Sequence, residues 1–179
     1  MTIGIIGIGN ITLELATRSA LSGYEVLLSN PRGINVVKEL TQHIGSHVKL
    51  VTINEAAGAE LIILFLNRDD LENALKAMPD MKGKIILHTN NPIFNLNEVL
   101  DITSGQSSSD IIASLLPDSH IVKLFNPLHC LTGPNSQNND RTKIFFTTKN
   151  HKVKNNVKTY LDTLNFTGIE LLELKKLNT

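Results

Sequence analysis

A doubly wound α/β fold with a mostly parallel sheet, held in a single domain over residues 1–179, is what this sequence predicts. Three observations carry that expectation. Short apolar runs alternate with amphipathic segments along the chain, as strands joined by crossover helices do. The run "ELIILFL" at 60–66 is continuously apolar, as a strand covered on both faces must be. A glycine pair, "GIG" at 7–9, lies between the first apolar run and the first amphipathic segment.

The elements follow in order. "IGII" (3–6) reads as a buried strand, and "ITLELATRSALS" (11–22) as a helix closed by Gly23. "YEVLLS" (24–29) is a second strand, "INVVKELTQHI" (34–44) a second helix and "HVKLV" (47–51) a third strand. After the strand at 60–66, Asp69 or Asp70 caps a helix carrying Leu71, Ala74, Leu75 and Met78, which Pro79 stops. "GKIILH" (83–88) is the next strand, and the stretch 95–106 is irregular. "SSSDIIASLLP" gives a serine-capped helix ended by Pro117, and "HIVKLF" (120–125) a strand. Beyond the polar loop "LTGPNSQNNDRT" come the strand "KIFFTT" (143–148), a helix with Val153, Val157, Tyr160, Leu161 and Leu164 on one face, and the strand "GIELLEL" (168–174).

Seventeen basic and seventeen acidic side chains cancel, so no electrostatic footprint for nucleic acid or an anionic membrane is present. The single cysteine, Cys130, excludes an internal disulfide and suits a reducing compartment. The chain opens on an apolar strand without a basic leader, and its apolar runs are far too short to span a bilayer. These features predict a cytoplasmic protein without membrane partners.

In doubly wound sheets the ligand binds beyond the carboxyl ends of the strands, where the first turn meets the first helix. "GIGNIT" at 7–12 has the spacing Gly-x-Gly-x-x-Gly, except that Thr12 stands where the last glycine belongs. Gly7 serves the tight turn, and Gly9 lets the backbone approach a pyrophosphate; the third glycine only eases helix-on-strand packing. Thr12 therefore leaves the phosphate-facing roles intact, and the amides of Asn10 and Ile11 remain available to an anion. NAD-binding turns place an acid about 20 residues on, at the end of the second strand, to hold the ribose 2′-hydroxyl. Here the stretch is "LLSNPRG", with Asn30 and Arg32 and no acid. Asn30 can donate to a phosphate oxygen and Arg32 can pair with it through its planar fork, which favours NADP(H). Taken alone, the same residues also read as a polar turn with Arg32 in solvent.

"IGIIGIGN", "VLLSNPRG", "GKIILHTNNPI" and "LPDSHIVKLFNPL" resemble the NADP oxidoreductases related to the archaeal deazaflavin (coenzyme F420)-dependent NADP reductases. The chain is more distantly similar to the dinucleotide-binding half of pyrroline-5-carboxylate reductases. The resemblance runs from residue 1 to about 174 and implies a Rossmann-type fold with NADP as cofactor. It places the pyrophosphate on Gly7, Gly9, Asn10 and Ile11, and the 2′-phosphate on Asn30 and Arg32. It lines the nicotinamide with Leu66, Asn67, Asn90, Asn91 and Pro92. "LFLNRDD" departs from the family, which often has a small apolar residue and a proline where Leu66 and Asn67 stand. Nicotinamide chemistry needs a covered, water-poor pocket. The site, facing "FNPL" at 125–128, is therefore expected to be completed by the loops around 90–102 and 131–141 or by a second subunit. The resemblance implies a homodimer whose cleft draws on both chains.

Other candidates carry less. His129 and Cys130 adjoin, and neighbours on an extended chain point apart, which disfavours a nucleophile pair. The six histidines show no metal-ligand spacing. Ser107–Ser109 reads as a helix cap and "KVKNNVK" as a solvated helix face. Dehydrogenases acting on hydroxy acids or imines commonly append a helical substrate domain, and this sequence shows neither that nor a proton-transfer dyad. Hydride transfer to a flat ring such as a flavin or deazaflavin needs chiefly stacking and exclusion of water. Two functions stay open on sequence: an oxidoreductase reducing such a small acceptor, and a non-catalytic sensor of the NADP(H) pool. Turnover with a panel of acceptors separates them.

Overall fold

The computed structural model describes residues 1–33, 44–89, 107–125 and 141–171, the side chain of Arg68 aside. Eight strands among these residues form one sheet: β1 (Thr2–Ile6), β2 (Glu25–Ser29), β3 (Val48–Leu50), β4 (Leu61–Leu64), β5 (Ile85–His88), β6 (His120–Phe125), β7 (Thr142–Thr148) and β8 (Phe166–Glu170). Their spatial order is 3-2-1-4-5-6-7-8. The helices are α1 (Asn10–Leu21), α2 (Ile53–Ala57), α3 (Arg68–Lys76), α4 (Ser108–Leu115) and α5 (Lys154–Thr163).

Strands β1 to β6 run parallel, and β7 turns antiparallel to β6 with β8 parallel to β7.

Two apolar layers flank the sheet. On one face α1 and α5 pack through Leu15, Ala16, Val157, Tyr160 and Leu161 against Ile3, Ile5, Ile63, Ile144 and Phe146. On the other, α2, α3 and α4 pack through Ala56, Ala57, Leu71, Leu75 and Ile112 against Ile62, Leu64 and Ile86. Alternate residues of β4 feed the two layers, which is why its run is apolar throughout. Ser19 and Tyr160 share a buried hydrogen bond of 2.9 Å that ties α1 to α5.

The register positions the site. Ile6 lies beside Ser29 and Leu64, and Leu64 beside His88, so the turns after β1, β2, β4 and β5 leave the sheet along one edge. The strand order reverses direction between β1 and β4, at that same edge, which is the crevice where doubly wound sheets take ligands.

Several boundaries differ from the expectations. β4 stops at Leu64 because Phe65 and Leu66 already belong to the turn. α3 is capped by Asn67 rather than Asp69 or Asp70, which sit in its first turn, and it ends at Lys76, before Pro79. β8 begins at Phe166, two residues early, with Phe166 buried against α5. Helix α2 is unforeseen. Thr52 and Glu55 form a capping box at its start, with the Thr52 amide donating to Glu55 at 2.8 Å. The expected helix at 34–44 lies almost wholly outside the described residues, as do the irregular stretch 95–106 and the residues from 172 onward.

Candidate functional site

The glycine turn is built by what approaches it. Gly7 has φ +93°, in the left-handed region, and a Cβ there would lie 1.8 Å from the backbone oxygen of Phe65. Gly9 is in extended conformation as the N-cap of α1, and a Cβ on it would meet the Phe65 ring at 2.4 Å. The backbone at Gly7 makes the tight turn that the sequence predicts. Gly9 carries a second constraint, the ring of Phe65, that the sequence did not reveal.

Thr12 is more than a substitute for the missing glycine. It is fully buried, and its Oγ1 accepts from the Gly9 amide at 2.9 Å and donates to the Gly9 carbonyl at 3.0 Å, clamping the turn to the first coil of α1. The amides of Asn10 and Ile11 have no partner among the described residues, and no acidic side chain occupies that first turn. An unneutralised helix N-terminus of this kind suits an anion. Thr12→Gly is expected to cost about 2 kcal/mol of stability, from the lost cap and the helical glycine together. Cofactor affinity should change less than about twofold, since no anion-facing group is touched. Denaturant unfolding beside an NADPH titration checks both.

Beyond β2, Asn30 and Arg32 share one turn. The Asn30 side chain closes that turn on itself, donating to Gly33 O and accepting from the Arg32 amide, each at 3.4 Å. The Arg32 guanidinium is 62% exposed, and its Nε donates to Asp70 Oδ2 of α3 at 3.0 Å. No acid stands in the turn itself, but the fold delivers one to it from β4–α3.

The turn after β4 supplies Phe65, half-buried over Gly9, then Leu66 and Asn67. Leu66 is 7% exposed and packs in the layer beneath α3. Asn67 is exposed, and its carbonyl accepts the amides of Asp70 and Leu71. Asn90, Asn91 and Pro92 lie outside the described residues, as do His129 and Cys130.

His88 closes β5 at the same edge, with no surface exposed. Its Nε2 lies 2.8 Å from Ser109 Oγ on α4, while Nδ1 is buried and has no hydrogen-bond partner among the described residues. Burial, helped by the charge of Lys123 on β6, holds its pKa down at about 4, so the ring is neutral at pH 7. Among the described residues no cluster of three His, Cys, Asp or Glu side chains could hold a metal ion.

Residues 2–92, which span the glycine turn, the Arg32 turn and the turns after β4 and β5, match the family described as NADP oxidoreductase, coenzyme F420-dependent. The chain belongs to this NADP oxidoreductase family. Among curated proteins, Metalloreductase STEAP3 of Rattus norvegicus is 30% identical over 129 residues, covering 69% of this chain and 24% of the relative. Metalloreductase STEAP2 of Homo sapiens is 26% identical over 175 residues, covering 96% of this chain and 33% of the relative. The chain thus spans a quarter to a third of the length of these relatives.

Solved structures share this fold. The hypothetical protein SMa0349 of Sinorhizobium meliloti aligns with TM-score 0.77 and 24% identity, over 96% of this chain and 84% of that one. A putative F420-dependent NADP-reductase from Arthrobacter sp. FB24 aligns at 0.72 and 23%, with the same coverage. A pyrroline-5-carboxylate reductase of Coxiella burnetii aligns at 0.64 and 13%, over 97% of this chain and 59% of that one. Family membership makes NADP(H) the cofactor, and the α1 amides, unpartnered among the described residues, and the exposed Arg32 suit its two anionic groups. No helix among the described residues is long and apolar enough to cross a membrane.

Proposed function

We propose that this chain is a single NADP(H)-binding domain that passes hydride between NADPH and a small acceptor with a flat redox-active ring, of the flavin or deazaflavin class, and that it acts as a homodimer. One observation carries the cofactor reading. The Arg32 guanidinium stands exposed at the ligand-binding edge of the sheet, in a turn without an acid, while the Gly7–Gly9 turn holds the α1 amides open beside it.

In this reading Asn10 and Ile11 bind the pyrophosphate through their amides, and Gly9 admits it by having no side chain. Arg32 pairs with the 2′-phosphate, with Asn30 rotating off its own turn to donate as well. Phe65 and Leu66 form the apolar wall that keeps water from the nicotinamide, and Asn67, Asn90, Asn91 and Pro92 complete its surroundings. Bound NADPH supplies the hydride, two electrons with their proton. Among the described residues this wall carries no acid or base, which suits acceptors whose ring takes the hydride directly, with any balancing proton drawn from solvent. The family's description and the name of the Arthrobacter protein support a deazaflavin, and the metalloreductase relatives support electron transfer beyond it. Phe145 and Leu171, large apolar side chains left 37% and 39% exposed, support self-association.

NADPH oxidation followed against flavins, a deazaflavin and quinones tests the chemistry. Turnover with a flavin or deazaflavin is expected, and binding without turnover across the panel would make the domain an NADP(H) sensor. Specificity is tested separately. A charge-assisted bond to phosphate contributes about 1.5–3 kcal/mol, so NADPH should bind about tenfold to a hundredfold more tightly than NADH. Arg32→Ala should remove most of that margin and leave NADH affinity nearly unchanged. Equal affinities in the wild type would exclude the assignment.

A further inference from the structure

We propose that Asp70, which the sequence marks only as a candidate helix cap, sets the strength of the NADP(H) preference by competing with the 2′-phosphate for Arg32. The inference rests on the reading that Arg32 binds that phosphate.

Arg32 and Asp70 come from different turns, 38 positions apart, and meet only because β2 and β4 flank β1 with their carboxyl ends aligned. The contact is a charge-assisted hydrogen bond of 3.0 Å from Nε to Oδ2. Asp70 lies in the first turn of α3, its amide held by the Asn67 carbonyl, so its place is fixed by the helix start. The Arg32 side chain has no such anchor and is 62% exposed.

An arriving 2′-phosphate would therefore meet a guanidinium already satisfied on one side. It must either take Arg32 from the carboxylate or share it, with two negative groups then converging on one cation. NADH presents a neutral hydroxyl at that position and makes no such demand. The carboxylate that NAD-binding turns place at the end of the second strand is here supplied from α3, where it reaches the arginine rather than standing alone. Its effect is to narrow the gap between the two cofactors that the turn sequence alone would give.

Asp70→Asn keeps the shape and a helix-compatible residue while removing the charge. In fluorescence titrations at low ionic strength, Asp70→Asn should bind NADPH about fivefold more tightly than wild type, the scale of an exposed ion pair. NADH affinity should stay the same, and the gain should shrink as salt rises. In an Arg32→Ala background the same substitution should leave NADPH affinity unchanged, because the competition is for that arginine. Unchanged or weaker NADPH binding by Asp70→Asn overturns the proposal, showing that the carboxylate is idle or orients Arg32 usefully. A fall in NADH affinity also overturns it, since Asp70 would then be holding the ribose itself. Failure of the underlying reading looks different: Arg32→Ala would leave NADPH binding intact whatever stands at 70.

Discussion

Gly9→Val is expected to weaken NADPH and NADH alike by about a hundredfold, equivalent to about 3 kcal/mol, for two separable reasons. The first is packing. A Cβ at Gly9 would lie 2.4 Å from the Phe65 Cε1 and 2.8 Å from its Cζ, so the ring must move before the valine can be housed. Forced shifts of this kind cost about 1–3 kcal/mol. The second, on the proposed reading, is occupancy, since Gly9 is the N-cap of α1 and adjoins the Asn10 and Ile11 amides that would take the pyrophosphate. Phe65→Ala separates them. In that background Gly9→Val should cost almost no stability, because the clash is gone, yet should still weaken both cofactors at least tenfold by filling the phosphate site. Recovery of affinity along with stability would mean that Gly9 serves Phe65 alone and that the pyrophosphate lies elsewhere.

This double role shows where the sequence stopped being informative. The helix–strand order, the serine cap at Ser107, the glycine turn and the Arg32 turn are all local, set by residues within a few positions of one another, and were legible. The capping box Thr52–Glu55 was equally local and could have revealed α2. Phe65 and Asp70 act through partners 56 and 38 positions away, Gly9 and Arg32, by virtue of strand register. No spacing rule encodes such pairs. His88 is the same kind of case. As the last residue of an apolar run it reads as a strand end, and its burial depends on α4, whose Ser109 covers it from 21 positions on. The edge where these turns converge was therefore predictable, and the Phe65–Gly9 and Asp70–Arg32 contacts along it were not.

His88 should make the fold sensitive to mild acid, and the direction follows from its surroundings. In the unfolded chain the ring titrates at its ordinary value of 6.5, whereas burial and the charge of Lys123 hold it at about 4 in the native state. Above pH 6.5 both states carry a neutral ring, and stability does not depend on it. Between pH 6.5 and 4 the unfolded chain binds the proton and the native chain does not, so stability falls with acidification by up to about 1.4 kcal/mol per pH unit. The loss totals about 3 kcal/mol once pH is below 4, where both states are charged and the native one bears a buried cation whose Nδ1 has no partner among the described residues. Exposed carboxylates drawn below their ordinary range, such as Glu25 beside Lys49 and Glu72 beside Lys76, add losses only toward the lower end of this window. His88→Leu isolates the histidine. It removes a buried polar atom that lacks a partner among the described residues and leaves Ser109 half-buried at the helix surface, so stability at pH 7.5 should be equal or higher. Urea unfolding of both proteins across pH 7.5 to 4.5 should give curves that diverge from about pH 6.5 downward, with the variant the more stable by about 2–3 kcal/mol at the acid end. Parallel curves would mean that the native fold admits a charged ring at 88, and that the β5–α4 contact opens to water at little cost.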